Sequence, residues 1–177
     1  YNMWWEGNAE DVVNRLLKEN DIWWTEERIA LAEAQGLTPR EATILASIVQ
    51  SETKDLSEAH TVAGLYLNRL RRDQLLQADP TVVYATGDFT IRRVLKEHLD
   101  YPSPYNTYLH KGLPPGTILF PEPRFIESVL NAEDHDYIYM CAEPGGTNRH
   151  VFAKRYSQHI RNARKFQKWL NSQKIYK

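Results

Sequence analysis

The segment Thr38–Thr53, TPREATILASIVQSET, reads as a single capped helix that carries a carboxylate onto an apolar face. Thr38 is a good N-cap, Pro39 suits the first helical position, and Glu41 stands where it completes a capping box with Thr38. Leu45, Ile48 and Val49 form a stripe at three- and four-residue spacing, and the next step of that spacing falls on Glu52. An acid therefore occupies a position where a core leucine is expected. Burial disfavours the charged form of a carboxylate, and the negative end of the helix dipole acts in the same direction, so both effects raise its pKa. A Glu tuned this way can serve as a general acid near neutral pH. The plain alternative is a Glu just past the helix end, solvated and inert. The first reading predicts that Glu52 is at least half buried at the floor of a cleft.

The flanking chain supplies a helical body. Asn8 can cap a helix from about Ala9 to Glu19 with Val12, Val13, Leu16 and Leu17 as its buried face. Thr25 caps a second helix that ends at Gly36, with Trp23 and Trp24 packed at the junction. After Glu52 the spacing predicts a helix from about Glu58 to Arg72, with Val62, Ala63, Tyr66 and Leu70 inward and Arg69, Arg71 and Arg72 toward water. Asp79 followed by Pro80 reads as N-cap and first residue of a short helix, and another helix is expected over Ile91–His98.

From Asp100 to Pro123 the sequence carries six Pro and two Gly, which makes it a long irregular loop. A loop of this length inside a compact domain makes sense chiefly when it is functional, so it is expected to return within side-chain reach of Glu52. Residues Pro123–Ala132 suit one more helix. The period then changes: Tyr137–Ala142 and His150–Ala153 are strand-forming runs separated by the turn EPGGTNR, predicting one antiparallel hairpin. Ser157–Leu170 closes the chain as a helix. The fold class is α+β, mainly helical, with a small antiparallel hairpin or sheet, and residues 1–177 are read as one catalytic domain.

Composition removes several function classes. At 177 residues the chain suits one domain. A formal charge of −1 gives no uniform basic footprint for nucleic acid. The single Cys141 rules out an intramolecular disulfide and a multi-Cys metal site, and its position inside an apolar strand suits an inert thiol. The six His lack the close spacing of a metal site, and there is no phosphate-binding glycine loop and no nucleophile elbow. No cofactor is expected. Five Trp, ten Tyr and five Phe exceed the needs of a minimal core, so some rings are expected to face a ligand. The opening YNMWWEGNAE reads as an internal cut in a longer protein.

A buried Glu acid beside an aromatic, polar loop is the ground plan of enzymes that protonate a glycosidic oxygen. The blocks ILASIVQSET, LLQADPTVVY, SPYNTY, GLPPG, YIYMCAEPGGTNRHVF and SQH, in this order from about Leu37 to His159, resemble those of the endolytic murein transglycosylase or YceG-like family. The resemblance implies a lysozyme-like helical core and a bacterial enzyme of the inner membrane. Such an enzyme is held by a single N-terminal anchor, with its catalytic domain on the periplasmic side, and cleaves the β-1,4 bond between N-acetylmuramic acid and N-acetylglucosamine in nascent peptidoglycan.

The same resemblance makes Glu52 the catalytic residue, acting first as acid and then as base so that the products end in 1,6-anhydro sugars. Its implied partners are glycan strands and the proteins of cell-wall synthesis. The family often has a second Glu two residues earlier, where this chain has Gln50; were that position the acid, the protein would be inactive. Two residues apart on a helix, the side chains point to nearly opposite sides.

Gln77, Asp79 and Tyr84 resemble cleft residues of the family, although capping also explains Asp79 and core packing Tyr84. Tyr105, Asn106 and Tyr108 offer an amide for a sugar hydroxyl or N-acetyl group and rings for a pyranose face. His150 is read as a glycan contact, a support for Glu52, or a structural hydrogen bond. A hydrolytic muramidase and a non-catalytic glycan-binding domain remain as alternatives.

Overall fold

The computed structural model describes residues 8–91 and 93–173. The capping box at Thr38 forms: Glu41 N donates to Thr38 Oγ1 at 3.3 Å, and Thr38 N donates to Glu41 Oε2 at 2.8 Å. It starts helix α3 (Pro39–Glu52), whose Ala42 and Ile44–Gln50 are all buried. α1 (Ala9–Trp23) and α2 (Glu26–Ala34) precede it, and α4 (Leu56–Arg71) and α5 (Asp79–Thr86) follow. After the short α6 (Lys96–Leu99) and the Pro-rich loop comes α7 (Pro123–Leu130). α3 packs on both α4 and α7, and α4 also packs on α7, so these three helices enclose the core.

Strands β1 (Tyr139–Ala142) and β2 (His150–Ala153) pair antiparallel, with Tyr139 opposite Ala153 and Ala142 opposite His150. α8 (Tyr156–Ser172) packs across this hairpin. The architecture is α+β: among the described residues, a helical body with one two-stranded sheet at its side. Among the described residues no helix is long and apolar enough to cross a membrane.

Gln50 and Glu52 part company as their spacing requires. Gln50 is 8% exposed and turns to α7, where its Oε1 accepts from Glu122 N at 2.8 Å at the helix start. The amide thereby ties the end of the Pro-rich loop to α3, while Glu52 faces the other way.

Four sequence expectations need correction. α1 forms with its Asn8 cap but has no buried residue; Val13, Leu16 and Leu17 are exposed, because amphipathic spacing sets a helix without supplying anything to cover it. Ala78, rather than Asp79, is the N-cap of α5, since Asp79 is already helical. The helix expected over Ile91–His98 shrinks to Lys96–Leu99; Arg92 lies outside the described residues. Arg69 does not face water but is 9% exposed, reaching under the hairpin.

Gly64 lets α4 touch the segment before β1. A Cβ there would press into the Glu133 carbonyl oxygen and lie 2.9 Å from His135 Nε2. Helix propensity favours Gly64→Ala by about 1 kcal/mol, but overpacking against backbone costs about 1–3 kcal/mol. Gly64→Ala is therefore expected to lower the thermal midpoint by several degrees; an unchanged or higher midpoint would show that this contact is loose.

Candidate active site

Three elements meet at the C-terminal end of α3. Glu52 is its last helical residue and is partly buried. On α4, Tyr66 and Arg69 are three residues apart and so share a face. Tyr66, 1% exposed, donates its hydroxyl to Glu52 Oε1 at 2.7 Å. Asp79 opens α5 on another side of the same cleft, and β1 contributes Met140, Cys141 and Ala142. Gln77 sits just before α5 with a positive φ of 51°, held by a hydrogen bond from its backbone N–H to Thr107 O at 3.1 Å. The cavity these residues enclose with Tyr108 and His150 has a volume of about 240 Å³.

Two further hollows adjoin it. One, about 800 Å³, lies between α5 and the Pro-rich loop and includes Tyr84, Phe89 and Ile118. The other, about 710 Å³, lies between the hairpin turn and α8 and includes Arg149 and Trp169. Glu52 and Ala142 line all three, so the acid stands at the middle of a continuous groove rather than in a closed pocket.

Arg69 ties the floor together. Its Nε donates to Ile138 O at 2.7 Å, and its Nη1 donates to Leu75 O, Leu76 O and Gln77 Oε1 at 3.0, 2.9 and 3.1 Å. One guanidinium thus joins α4, the turn before α5 and the start of the hairpin, beneath the Tyr139 ring at 5.6 Å. These acceptors are neutral. The cation has no carboxylate within ion-pair distance among the described residues, which leaves its field directed at the cleft.

The electrostatics follow from burial. Desolvation is the largest effect on Glu52 and carries its carboxyl from 4.5 to about 7; Asp79 adds to the rise, while the Tyr66 hydrogen bond, His150 and Arg69 oppose it. Burial also drives the Tyr66 and Tyr108 phenols upward, so both remain hydrogen-bond donors. Tyr108 donates to Asp79 Oδ1, which leaves that carboxylate fixed beside Glu52. Burial raises the Cys141 thiol as well, in keeping with an inert group.

The sequence profile of the YceG-like family matches residues 1–165. The chain belongs to the YceG-like family. It is 31% identical over 159 residues to an endolytic murein transglycosylase of Bacillus subtilis, covering 90% of this chain and 43% of that protein. An endolytic murein transglycosylase of Streptococcus pneumoniae is 33% identical over 115 residues, covering 63% of this chain and 21% of its own. The chain thus spans less than half the length of these curated relatives. A crystal structure of a yceG-like protein from Listeria monocytogenes superposes with a TM-score of 0.79 at 30% identity, covering 91% of this chain and 52% of the other.

In this YceG-like chain the groove gathers Glu52, Gln77, Asp79, Tyr84, Tyr108 and His150. Tyr108 shows the Pro-rich loop returning to the acid, as its length led one to expect. Two other loop residues are placed differently. Asn106 is fully buried, its Nδ2 donating to Leu99 O and Tyr101 O and its Oδ1 accepting from Tyr108 N. With its hydrogen-bonding capacity turned inward it shapes the loop instead of meeting a sugar, a correction to the sequence reading. Tyr105 is packed against Tyr84, with ring centroids 4.8 Å apart, and supports that ring from behind the groove wall.

Sequence reasoning missed Glu58 and Arg69 and saw in Tyr66 only a core residue. The signal was present. Glu58, Val62, Tyr66 and Arg69 follow three- and four-residue steps, the same rule that singles out Glu52.

The raised pKa of Glu52 predicts a pH signature in stability. The folded protein holds this proton up to about pH 7 and the unfolded chain only to about 4.5, so the stabilisation present below 4.5 is lost as pH rises between the two values. Glu52→Gln removes the titration and keeps an acceptor for Tyr66. The variant should exceed the parent in stability by about 1–3 kcal/mol at pH 8, with the difference closing at pH 4. Urea unfolding at the two pH values measures it; a difference independent of pH would exclude the assigned ionisation.

Proposed function

We propose that this chain is the catalytic domain of a peptidoglycan lytic transglycosylase. Its reaction is cleavage of the β-1,4 bond between N-acetylmuramic acid and N-acetylglucosamine within strands, leaving 1,6-anhydromuramyl ends. The observation that carries the proposal is the desolvated Glu52 carboxyl, poised near neutral pH at the middle of a groove open along its length. Its family membership and the names of its relatives support the same reading. A long groove suits attack inside a polymer, whereas a closed pocket would suit attack at a chain end.

Glu52 donates its proton to the glycosidic oxygen as the bond to C1 breaks. The Tyr66 hydroxyl and the positive field of Arg69 then stabilise the carboxylate so formed. Asp79, held by Tyr108, provides negative charge beside the developing oxocarbenium ion. The muramyl 6-hydroxyl closes on C1, and in the simplest form of the cycle the ionised Glu52 accepts its proton. No water is consumed. Gln77 and Tyr84 border the groove as contacts for sugar amide or hydroxyl groups and for a ring face. The nascent strand lies outside the inner membrane, so the domain would work at the periplasmic side of an anchored protein. There the proteins that synthesise strands are its expected partners.

Mass analysis of muropeptides released from peptidoglycan tests the reaction. Products lighter by one water than lysozyme-type fragments are expected, and reducing ends would instead indicate a hydrolase. Glu52→Gln should lower turnover by roughly two to four orders of magnitude with the fold retained, while Gln50→Glu, which faces α7, should leave turnover within about twofold because it removes no catalytic group.

A further inference from the structure

Glu58 is 3% exposed, and both of its oxygens are spent on one histidine. His150 donates its backbone N–H to Glu58 Oε1 at 2.7 Å, and its Nδ1 lies 2.8 Å from Glu58 Oε2. The backbone bond alone would fasten the hairpin to α4. The second bond does something more: it fixes the ring and places a proton on Nδ1, so that the neutral imidazole carries its lone pair on Nε2. Nε2 has no hydrogen-bond partner among the described residues and is not sealed from solvent. The side chain is 16% exposed and lines, together with Glu52, both the central cavity and the hollow toward α8. A base oriented by a buried carboxylate and opening onto a cleft has the layout of the base and orienting acid in nucleophilic enzymes. Here the nucleophile would come from the substrate.

We propose that His150 Nε2 is the general base for ring closure, oriented by Glu58, taking the proton of the muramyl 6-hydroxyl. This rests on the transglycosylase reading and changes its second half. In a β-glycoside the departing oxygen and the 1,6-anhydro bridge lie on the same face of the sugar, so the base must stand beside the acid, which is where His150 stands. A Glu52 that has just protonated the leaving sugar lies against that sugar and must wait for it to move. A separate base removes the wait. In the balanced step Glu52 gives a proton to the leaving oxygen and the C1–oxygen bond breaks. The 6-oxygen then bonds to C1, and His150 receives its proton. Return of one proton from His150 to Glu52 through solvent resets the site, with no oxidant and no net water.

The test uses two substrates: peptidoglycan, and a p-nitrophenyl glycoside of the GlcNAc–MurNAc disaccharide, whose leaving group needs no acid. Product masses of the unaltered protein come first. Reducing ends would sink the transglycosylase reading itself, whereas anhydro ends leave the His150 assignment to be decided separately. Expected next is that Glu52→Gln, slow on peptidoglycan, releases nitrophenol and the anhydro sugar within about tenfold of the parent rate. His150→Asn, whose amide can keep the bond to Glu58, should lose roughly a hundredfold in kcat on both substrates with KM unchanged. Imidazole should restore activity to His150→Gly. Full activity of His150→Asn would reduce the Glu58 pair to a structural tie and overturn the proposal. So would a Glu52→Gln protein inactive on the nitrophenyl glycoside, since Glu52 would then be the base. If His150→Asn does not fold, the Glu52→Gln result on that glycoside decides.

Discussion

The hydrogen bond from Tyr66 to Glu52 joins the end of α3 to the middle of α4, at a point where a carboxylate has been taken out of water. Removing solvent from a charge is costly, and the surrounding groups offset only part of that cost: a phenol, a guanidinium satisfied by neutral carbonyls, and an imidazole. The remainder appears as a carboxyl that keeps its proton to about pH 7. An ordinary Glu in the same groove would be ionised and unable to protonate anything. The rest of the structure can be understood as what is needed to hold this acid and let a long substrate reach it.

Rigid parts do the holding. α3, α4 and α7 pack through Leu45, Ile48, Val62, Tyr66, Phe125 and Val129, all essentially inaccessible to solvent. Gln50 locks the start of α7 to α3, and Arg69 locks the hairpin and the turn before α5 to α4. Both polar residues spend most of their hydrogen-bonding capacity on backbone groups, with Gln50 Nε2 also donating to Glu122 Oε1 and Arg69 Nη1 to Gln77 Oε1, which makes them specific connectors instead of sites for ligands. The groove walls come from the Pro-rich loop, the hairpin, α5 and α8, with Glu52, Asp79 and His150 at the ends of their elements. That division matches the general pattern in which a packed scaffold positions functional groups carried by loops and element ends.

Much of this was readable in the sequence because periodicity reports burial. The step from Val49 to Glu52 announced a buried acid, and the capping box at Thr38 announced where its helix begins. What could not be read was which surface meets which. Val13, Leu16 and Leu17 have the pattern of a buried face, yet tertiary packing leaves them exposed. Asn106 carries suitable chemistry for a sugar, yet the loop turns it inward because its own backbone carbonyls need donors. Arg69 and Glu58 sit at helical core spacing, but a charge on such a stripe is read as a solvated edge until its partners are known. Two of those partners, Ile138 for Arg69 and His150 for Glu58, are distant in sequence and come together only through the topology.

The most direct test of this account is the titration of Glu52 itself, by following the side-chain carboxyl carbons of ¹³C-labelled protein by NMR, with Glu52→Gln to assign the signal. The account predicts a midpoint at about pH 7. A midpoint near the ordinary value of 4.5 would mean that Glu52 is ionised at neutral pH and cannot be the acid on which everything else depends.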